Sequence, residues 1–104
     1  MAICTAAVLL PALPAQAGCR GEEVARSRVS ETATTMAFIN KSAKPVSVYW
    51  LDFGGSRVRY QVLEAGSSYT QQTYLTHPWV VVDTQGRCRG PFMPRRQLRQ
   101  ITVR

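Results

Sequence analysis

The sequence has few of the residues that catalytic sites require. It contains one histidine, His77, and six acidic residues scattered over 104 positions. No serine elbow, phosphate-binding glycine loop or metal-ligand spacing is present. Thr73 and His77 could form a nucleophile–base pair, but the third member would have to be Asp52 or Asp83, which no motif supports. We therefore expect no catalytic residues, no metal site and no cofactor, and a protein that is not an enzyme.

Long apolar runs are also scarce, and the clearest one lies at the N-terminus. Residues 1–14 are almost wholly apolar and precede Ala15-Gln16-Ala17, a small-x-small sequence typical of a signal-peptide cleavage site. The run is too short to span a membrane, and its two prolines argue against a buried helix. We expect residues 1–17 to be a signal peptide, the mature chain to carry no transmembrane segment, and the protein to be secreted or periplasmic.

Cysteine is rare, and only Cys19 and Cys88 remain after the predicted cleavage. An even pair in an oxidising compartment predicts one disulfide. This bond would pin residues 18–34, a polar segment that we expect to be extended. Two cysteines without a matching pair of histidines make a poor zinc site. Lipidation of Cys19 is the minor alternative, since Gln16 stands where lipoprotein signals usually carry an aliphatic residue.

Acidic residues are outnumbered, because 13 basic and 6 acidic side chains give a net charge of +7. Such an excess can attract a polyanion such as nucleic acid, an acidic glycan or a membrane surface. The arginines are spread along the chain and form no basic run or helix, which favours a solvated surface. We expect no nucleic-acid binding, and a basic structural protein that binds a polyanion is the alternative function.

Helical periodicity is missing after the predicted signal peptide. From residue 35 onward, the chain consists of short alternating strands separated by glycine-rich turns. This pattern is typical of an all-β protein, a small antiparallel sandwich or partial barrel. We assign the sandwich to residues 35–94. Residues 95–104 are either a basic tail or an extra strand.

Three strands carry specific predictions about burial. Val58, Tyr60 and Val62 alternate with polar residues, so they should share one face, while Arg57, Arg59 and Gln61 face water. Residues 68–74 are polar and indicate an exposed edge. Residues 79–83 are continuously apolar up to the final aspartate, which indicates burial on both faces.

Aromatic side chains with a polar tip fall on neighbouring predicted strands: Trp50, Tyr60, Tyr74 and Trp79. His77 lies just before the last of them. Rings supply contact area and their O–H and N–H groups fix orientation, so such a set is typical of a binding wall. Each residue alone is more often part of the core or surface, and spacing leaves a purely structural role open.

The order of these and other residues matches a known family. The matching residues are Asn40-Lys-Ser42, Val46-x-Val-x-Trp-Leu-Asp-Phe53, Gly55, Tyr60, Leu63, Gly66, Thr73-Tyr74 and His77-Pro-Trp79. In this order the chain resembles the β domain of the von Hippel–Lindau (VHL) tumour suppressor, from about Arg26 to Pro94. The resemblance implies an antiparallel β-sandwich of about seven strands.

The resemblance also implies a function. The family recognises 4-hydroxyproline in a peptide, with rings packed on the ligand and a serine and a histidine bonded to its hydroxyl. Carried over, the ligand-binding residues are Trp50, Tyr60, Thr73, Tyr74, His77 and Trp79, with Thr73 at the serine position. We expect an exported module that binds a peptide or protein through a hydroxyproline-type pocket. In the family's ubiquitin-ligase role, a helical domain after the sandwich docks elongin. Only ten residues follow Pro94 in this sequence, so we expect no elongin binding.

Overall fold

The computed structural model describes residues 18–104. The predicted signal peptide, residues 1–17, lies outside the described residues. The described part contains one 3₁₀ turn and seven strands, which are the turn Glu22–Val24, β1 Ala33–Asn40, β2 Val46–Leu51, β3 Arg57–Leu63, β4 Ser68–Tyr74, β5 Trp79–Asp83, β6 Cys88–Phe92 and β7 Arg99–Val103. Within this part of the chain, no helix has the length and apolar character needed to cross a membrane.

The strands form two sheets with the orders β4-β1-β7 and β3-β2-β5-β6. This architecture confirms the predicted all-β sandwich of about seven strands. One pairing differs from the antiparallel expectation, because β7 runs parallel to β1 and makes the three-stranded sheet mixed. The long connection between β1 and β7, which contains all the other strands, gives the chain the length that a parallel return requires. The sandwich therefore continues past residue 94, since residues 99–103 complete a sheet.

A single apolar core fills the space between the two sheets. Its buried members come from both of them: Met36, Phe38, Val46, Val48, Leu63, Trp79, Val81, Ile101 and Val103. Each such side chain contributes roughly 1.5–3 kcal/mol by leaving water. Phe38 is fully buried and packs against the rings of Tyr69 and Trp79, with centroids 5.8 and 6.2 Å away.

The outer face of the four-stranded sheet is also covered, by the N-terminal segment, residues 18–32. Val80 and Val82 of β5 belong to a second apolar cluster that includes Cys19 and is flanked by Ala25. A disulfide joins Cys19 to Cys88 of β6, which confirms the predicted bond. Burial of β5 on both faces is therefore confirmed, and the segment supplies the outer cover.

An ion pair reinforces this cover. Arg57 Nε lies 2.6 Å from Glu22 Oε2 and its Nη2 lies 2.7 Å from Oε1, and the two side chains are 18% and 13% exposed. The hydrogen bond from Arg57 is the main cause that holds the pKa of Glu22 below its usual value. Arg57 had been expected to face water, and that expectation is wrong because the segment folds over its strand.

The third strand departs from regular alternation at Tyr60. The ladder between β2 and β3 skips this residue, so a β-bulge lies there. A bulge shifts the pleat by one residue, so Val58 pairs with Trp50 on the inner face and Val62 pairs with Ser47 on the outer face. The prediction that the three residues share a face is therefore wrong. Because β3 is an edge strand, both valines stay exposed, at 38% and 44%.

Candidate ligand-binding site

The residues predicted to bind a ligand surround one small cavity at the edge of the sandwich. It has a volume of about 140 Å³ and is lined by Trp50, Tyr60, Gln72, Thr73, Tyr74, His77 and Trp79. The cavity lies between β3, an edge strand of one sheet, and β4, an edge strand of the other. The structure thus brings all six predicted residues together and adds Gln72, which sequence reasoning missed.

Thr73 and Trp79 form the floor of the cavity. Their exposures are 4% and 2%, so both belong to the protein interior as well as to the site. Trp79 Nε1 donates a hydrogen bond to Thr73 Oγ1 at 2.9 Å. The oxygen of Thr73 accepts this bond, and its own O–H remains a donor. The floor therefore offers a hydroxyl proton to a group that enters the cavity.

Aromatic rings form the walls. Trp50 meets Tyr60 nearly at right angles, with centroids 6.2 Å apart, and tilts toward His77 at 5.5 Å. Tyr60 also meets Trp79 edge-on at 5.0 Å, and Tyr74 lies 5.3 Å from His77. The bulge in β3 explains why Tyr60 takes part, since bulges re-aim a side chain at strand edges. The result is an apolar slot with polar groups at its base.

His77 brings an imidazole to the same cavity. Burial is the main cause that lowers its pKa below the usual value, and a hydrogen bond with the Arg28 backbone partly opposes this effect. The ring is therefore neutral at physiological pH. A neutral imidazole that donates one N–H to a carbonyl keeps an unprotonated second nitrogen, which is a hydrogen-bond acceptor.

Two residues outside the predicted set hold the walls in place. Ser27 is 3% exposed, and its Oγ accepts a hydrogen bond from Trp50 Nε1 at 2.7 Å while donating to Leu51 O at 2.6 Å. Phe53 stands edge-on to Trp50 and His77, at 5.7 and 5.5 Å. Phe53 is one of the matching family residues and could have been chosen from the sequence. Ser27 lies in a segment without periodicity, where no signal marked it.

The chain is similar to a known protein family and to a solved structure. A family model described as VHL beta domain matches residues 25–88, more than half of the chain, and this range contains every predicted lining residue. The NMR structure of a protein from Eubacterium rectale is similar at 15% identity and a TM-score of 0.40, covering 75% of this chain and 84% of that one. No curated protein matches the chain. VHL beta domains are substrate-recognition domains, so the family match supports a protein-binding module.

Proposed function

This chain belongs to the VHL beta domain family, and we propose that it is an exported module that binds a peptide through a 4-hydroxyproline pocket. One observation carries the proposal. The hydroxyl of Thr73, a donor, and the neutral imidazole of His77, an acceptor, line the same aromatic cavity. A ligand hydroxyl both accepts and donates a hydrogen bond, so it can satisfy the two groups at once.

The size of the cavity supports a small ring as the bound group. A cavity of about 150 Å³ in another protein holds benzene, and the volume here is about 140 Å³. A five-membered pyrrolidine ring is smaller than benzene and would pack against Trp50 and Tyr60. The position of the cavity supports a peptide as the carrier, because edge strands offer backbone groups to an extended chain.

Selectivity for the hydroxylated ring follows from the desolvation of the polar pair. Plain proline would fill the same space and leave the Thr73 hydroxyl and the His77 acceptor without partners. An unsatisfied buried polar group costs about 1–3 kcal/mol. We therefore expect a hydroxyproline peptide to bind about five- to a hundredfold more tightly than its proline twin.

Two further features support export and a non-catalytic role. The Cys19–Cys88 disulfide is compatible with an oxidising compartment. The aspartates that a catalytic triad would need are engaged elsewhere. Asp52 accepts the backbone N–H groups of Gly54 and Ser56, and Asp83 accepts those of Gln85 and Arg87. Both carboxylates hold turns, so we propose a binding protein and not an enzyme.

The test is a calorimetric titration of two peptides that differ only by the proline hydroxyl. The oxidised protein should bind the hydroxyproline peptide more tightly, and His77→Ala should reduce that preference toward unity. Thr102→Ala on the exposed face of β7 is the matched control and should leave it unchanged. Equal binding of both peptides, or no binding of either, would refute the proposal.

A second candidate function rests on a separate group of charges. Lys44, Arg87, Arg89 and Arg104 line a cavity of about 200 Å³, with Asp83 as the acidic group among them. This cationic surface supports the alternative of a polyanion partner. Heparin binding that falls steeply with salt and weakens in Arg87→Gln would favour it. Binding of the hydroxyproline peptide with little salt dependence would favour the first proposal.

A further inference from the structure

The N-terminal segment contacts both sides of the cavity mouth. On the β2 side, Ser27 N–H donates to Asp52 O at 3.0 Å and Ser27 Oγ donates to Leu51 O at 2.6 Å. On the other side, Thr76 Oγ1 donates to Arg28 O at 2.5 Å. The segment therefore joins the end of β2, in one sheet, to the loop that follows β4, in the other.

A second backbone contact strengthens the bridge on the loop side, where Leu75 N–H donates to Thr32 O at 3.1 Å. Residues 27–32 thus contact this loop at two points. The loop runs from Leu75 to Pro78 and contains His77. The segment is therefore bonded directly to the loop that carries the imidazole.

The two sides that the segment joins carry two neighbouring rings of the cavity wall. Trp50 belongs to β2, and its Nε1 donates to Ser27 Oγ at 2.7 Å. His77 directly follows Thr76, which is bonded to Arg28. The ring centroids of Trp50 and His77 lie 5.5 Å apart. Two adjacent residues, Ser27 and Arg28, therefore each hold one of these rings.

We propose that Ser27 is a positioning residue for ligand selectivity, and that residues 27–32 set the separation of Trp50 and His77. This inference rests on the proposed function, because the quantity that it concerns is the preference for hydroxyproline. Ser27 acts through Trp50 and does not line the cavity itself. Its buried hydroxyl fixes the indole at the spacing at which the imidazole can meet the ligand hydroxyl.

Ligand selectivity should also depend on the bonds that fix the start of the segment, away from the cavity mouth. The Cys19–Cys88 disulfide and the Glu22–Arg57 ion pair hold the segment at its start, and none of these four residues lines the cavity. Loss of the disulfide would free the segment at one end and let residues 27–32 shift. Selectivity is therefore coupled to a covalent bond on the opposite face of the four-stranded sheet.

The experiment measures the ratio of affinities for the hydroxyproline and proline peptides in four proteins. The wild-type protein establishes that the preference exists, and its absence would refute the proposed function itself. Ser27→Ala should lower the ratio about fivefold, the value of one buried hydrogen bond. Ser56→Ala changes an exposed serine in the turn between β2 and β3 and should leave the ratio unchanged. Ile101→Val removes a core methyl group far from the mouth and controls for lost stability.

A spectroscopic measurement separates positioning from general destabilisation. The chain has two tryptophans, so a ¹⁵N spectrum contains two indole N–H signals. In Ser27→Ala the Trp50 signal should shift and exchange faster with solvent, while the Trp79 signal, bonded to Thr73, should stay. A preserved affinity ratio in Ser27→Ala, or an equal drop in Ile101→Val, would overturn the inference while leaving the proposed function intact.

The double variant Cys19→Ser/Cys88→Ser tests the longer coupling under the same conditions. It should lower the ratio by at least twofold at a temperature where circular dichroism shows the sandwich folded. A ratio equal to that of the wild-type protein would show that the segment keeps its path without the disulfide. That result would overturn the coupling.

Discussion

The two faces of the four-stranded sheet are covered in different ways. The inner face meets a second sheet through a continuous apolar core. The outer face meets the N-terminal segment, whose apolar cluster is smaller and is supplemented by a disulfide, an ion pair and hydrogen bonds. Apolar contact is spread over many atoms, whereas each of the other links depends on one or two residues. The inner cover should therefore set global stability, and the outer cover should open separately.

The largest effect is expected from a substitution in the inner core. Phe38→Ala removes a fully buried ring that contacts two others, and such changes cost about 3–5 kcal/mol. This loss approaches the whole stability of a small domain. Urea denaturation should show a largely unfolded protein. Phe53→Ala, whose ring is 52% exposed, is the matched control and should cost much less. Similar losses in both variants would contradict the comparison.

Removal of the disulfide should come next. The bond joins positions separated by 69 residues, and the chain-entropy model assigns about 4 kcal/mol to a loop of this length. In the double variant Cys19→Ala/Cys88→Ala, hydrogen exchange should accelerate more in residues 18–32 than in β1, because β1 exchanges only when the inner core unfolds. Equal acceleration in both regions would show that the two covers open together.

A smaller effect is expected from Glu22→Gln, which removes one partner of the ion pair. A hydrogen bond to a charged group contributes about 1.5–3 kcal/mol, and partial exposure places this one at the lower end. The folded pKa of Glu22 is lowered, so its contribution is complete above the ordinary glutamate pKa, about 4.3, and is lost as pH falls through the folded pKa. Melting temperatures of the two proteins should therefore differ at neutral pH and converge at strongly acid pH. Glu23→Gln, at an exposed neighbouring position, should leave the melting temperature at neutral pH close to that of the wild-type protein.

The smallest effect concerns the cavity, where the two covers meet. The pKa of His77 is lowered, so the imidazole is neutral above that pKa and becomes a cation as pH falls through it. Protonation removes the acceptor, so hydroxyproline affinity should decline a few-fold as pH falls through this lowered pKa. Titrations between pH 5 and 8 would measure the decline. His77→Phe cannot titrate, and a decline of the same size in that variant would assign the effect to another group.

The burial of the inner face of the four-stranded sheet could be predicted from the sequence. Strands buried on a shared face alternate visibly, and the run 79–83 is apolar enough to require two covers. The residues around the cavity followed from their order along the chain, because the family match fixes both identity and spacing at Trp50, Tyr60, His77 and Trp79. These features depend on local pattern, which a sequence displays directly.

Most of the contacts that cover the outer face could not be predicted from the sequence. Residues 18–32 follow no period because they are held by single contacts to distant partners, as Ser27 is by Trp50. The bulge at Tyr60 was missed for a related reason: one unpaired residue changes the face of Val62 without changing the alternation of residue types. The parallel pairing of β7 with β1 is set by the path of the whole chain, which no local window contains.

The disulfide also has a consequence for the order of events during synthesis. Cys19 leaves the ribosome early, whereas Cys88 follows 69 positions later, after five strands have been made. The disulfide that anchors the segment cannot form until β6 exists. A nascent or truncated chain that lacks β6 would therefore carry every residue lining the cavity but lack the covalent anchor of the segment that supports its mouth. We expect the full selectivity of the cavity only in the finished, oxidised chain.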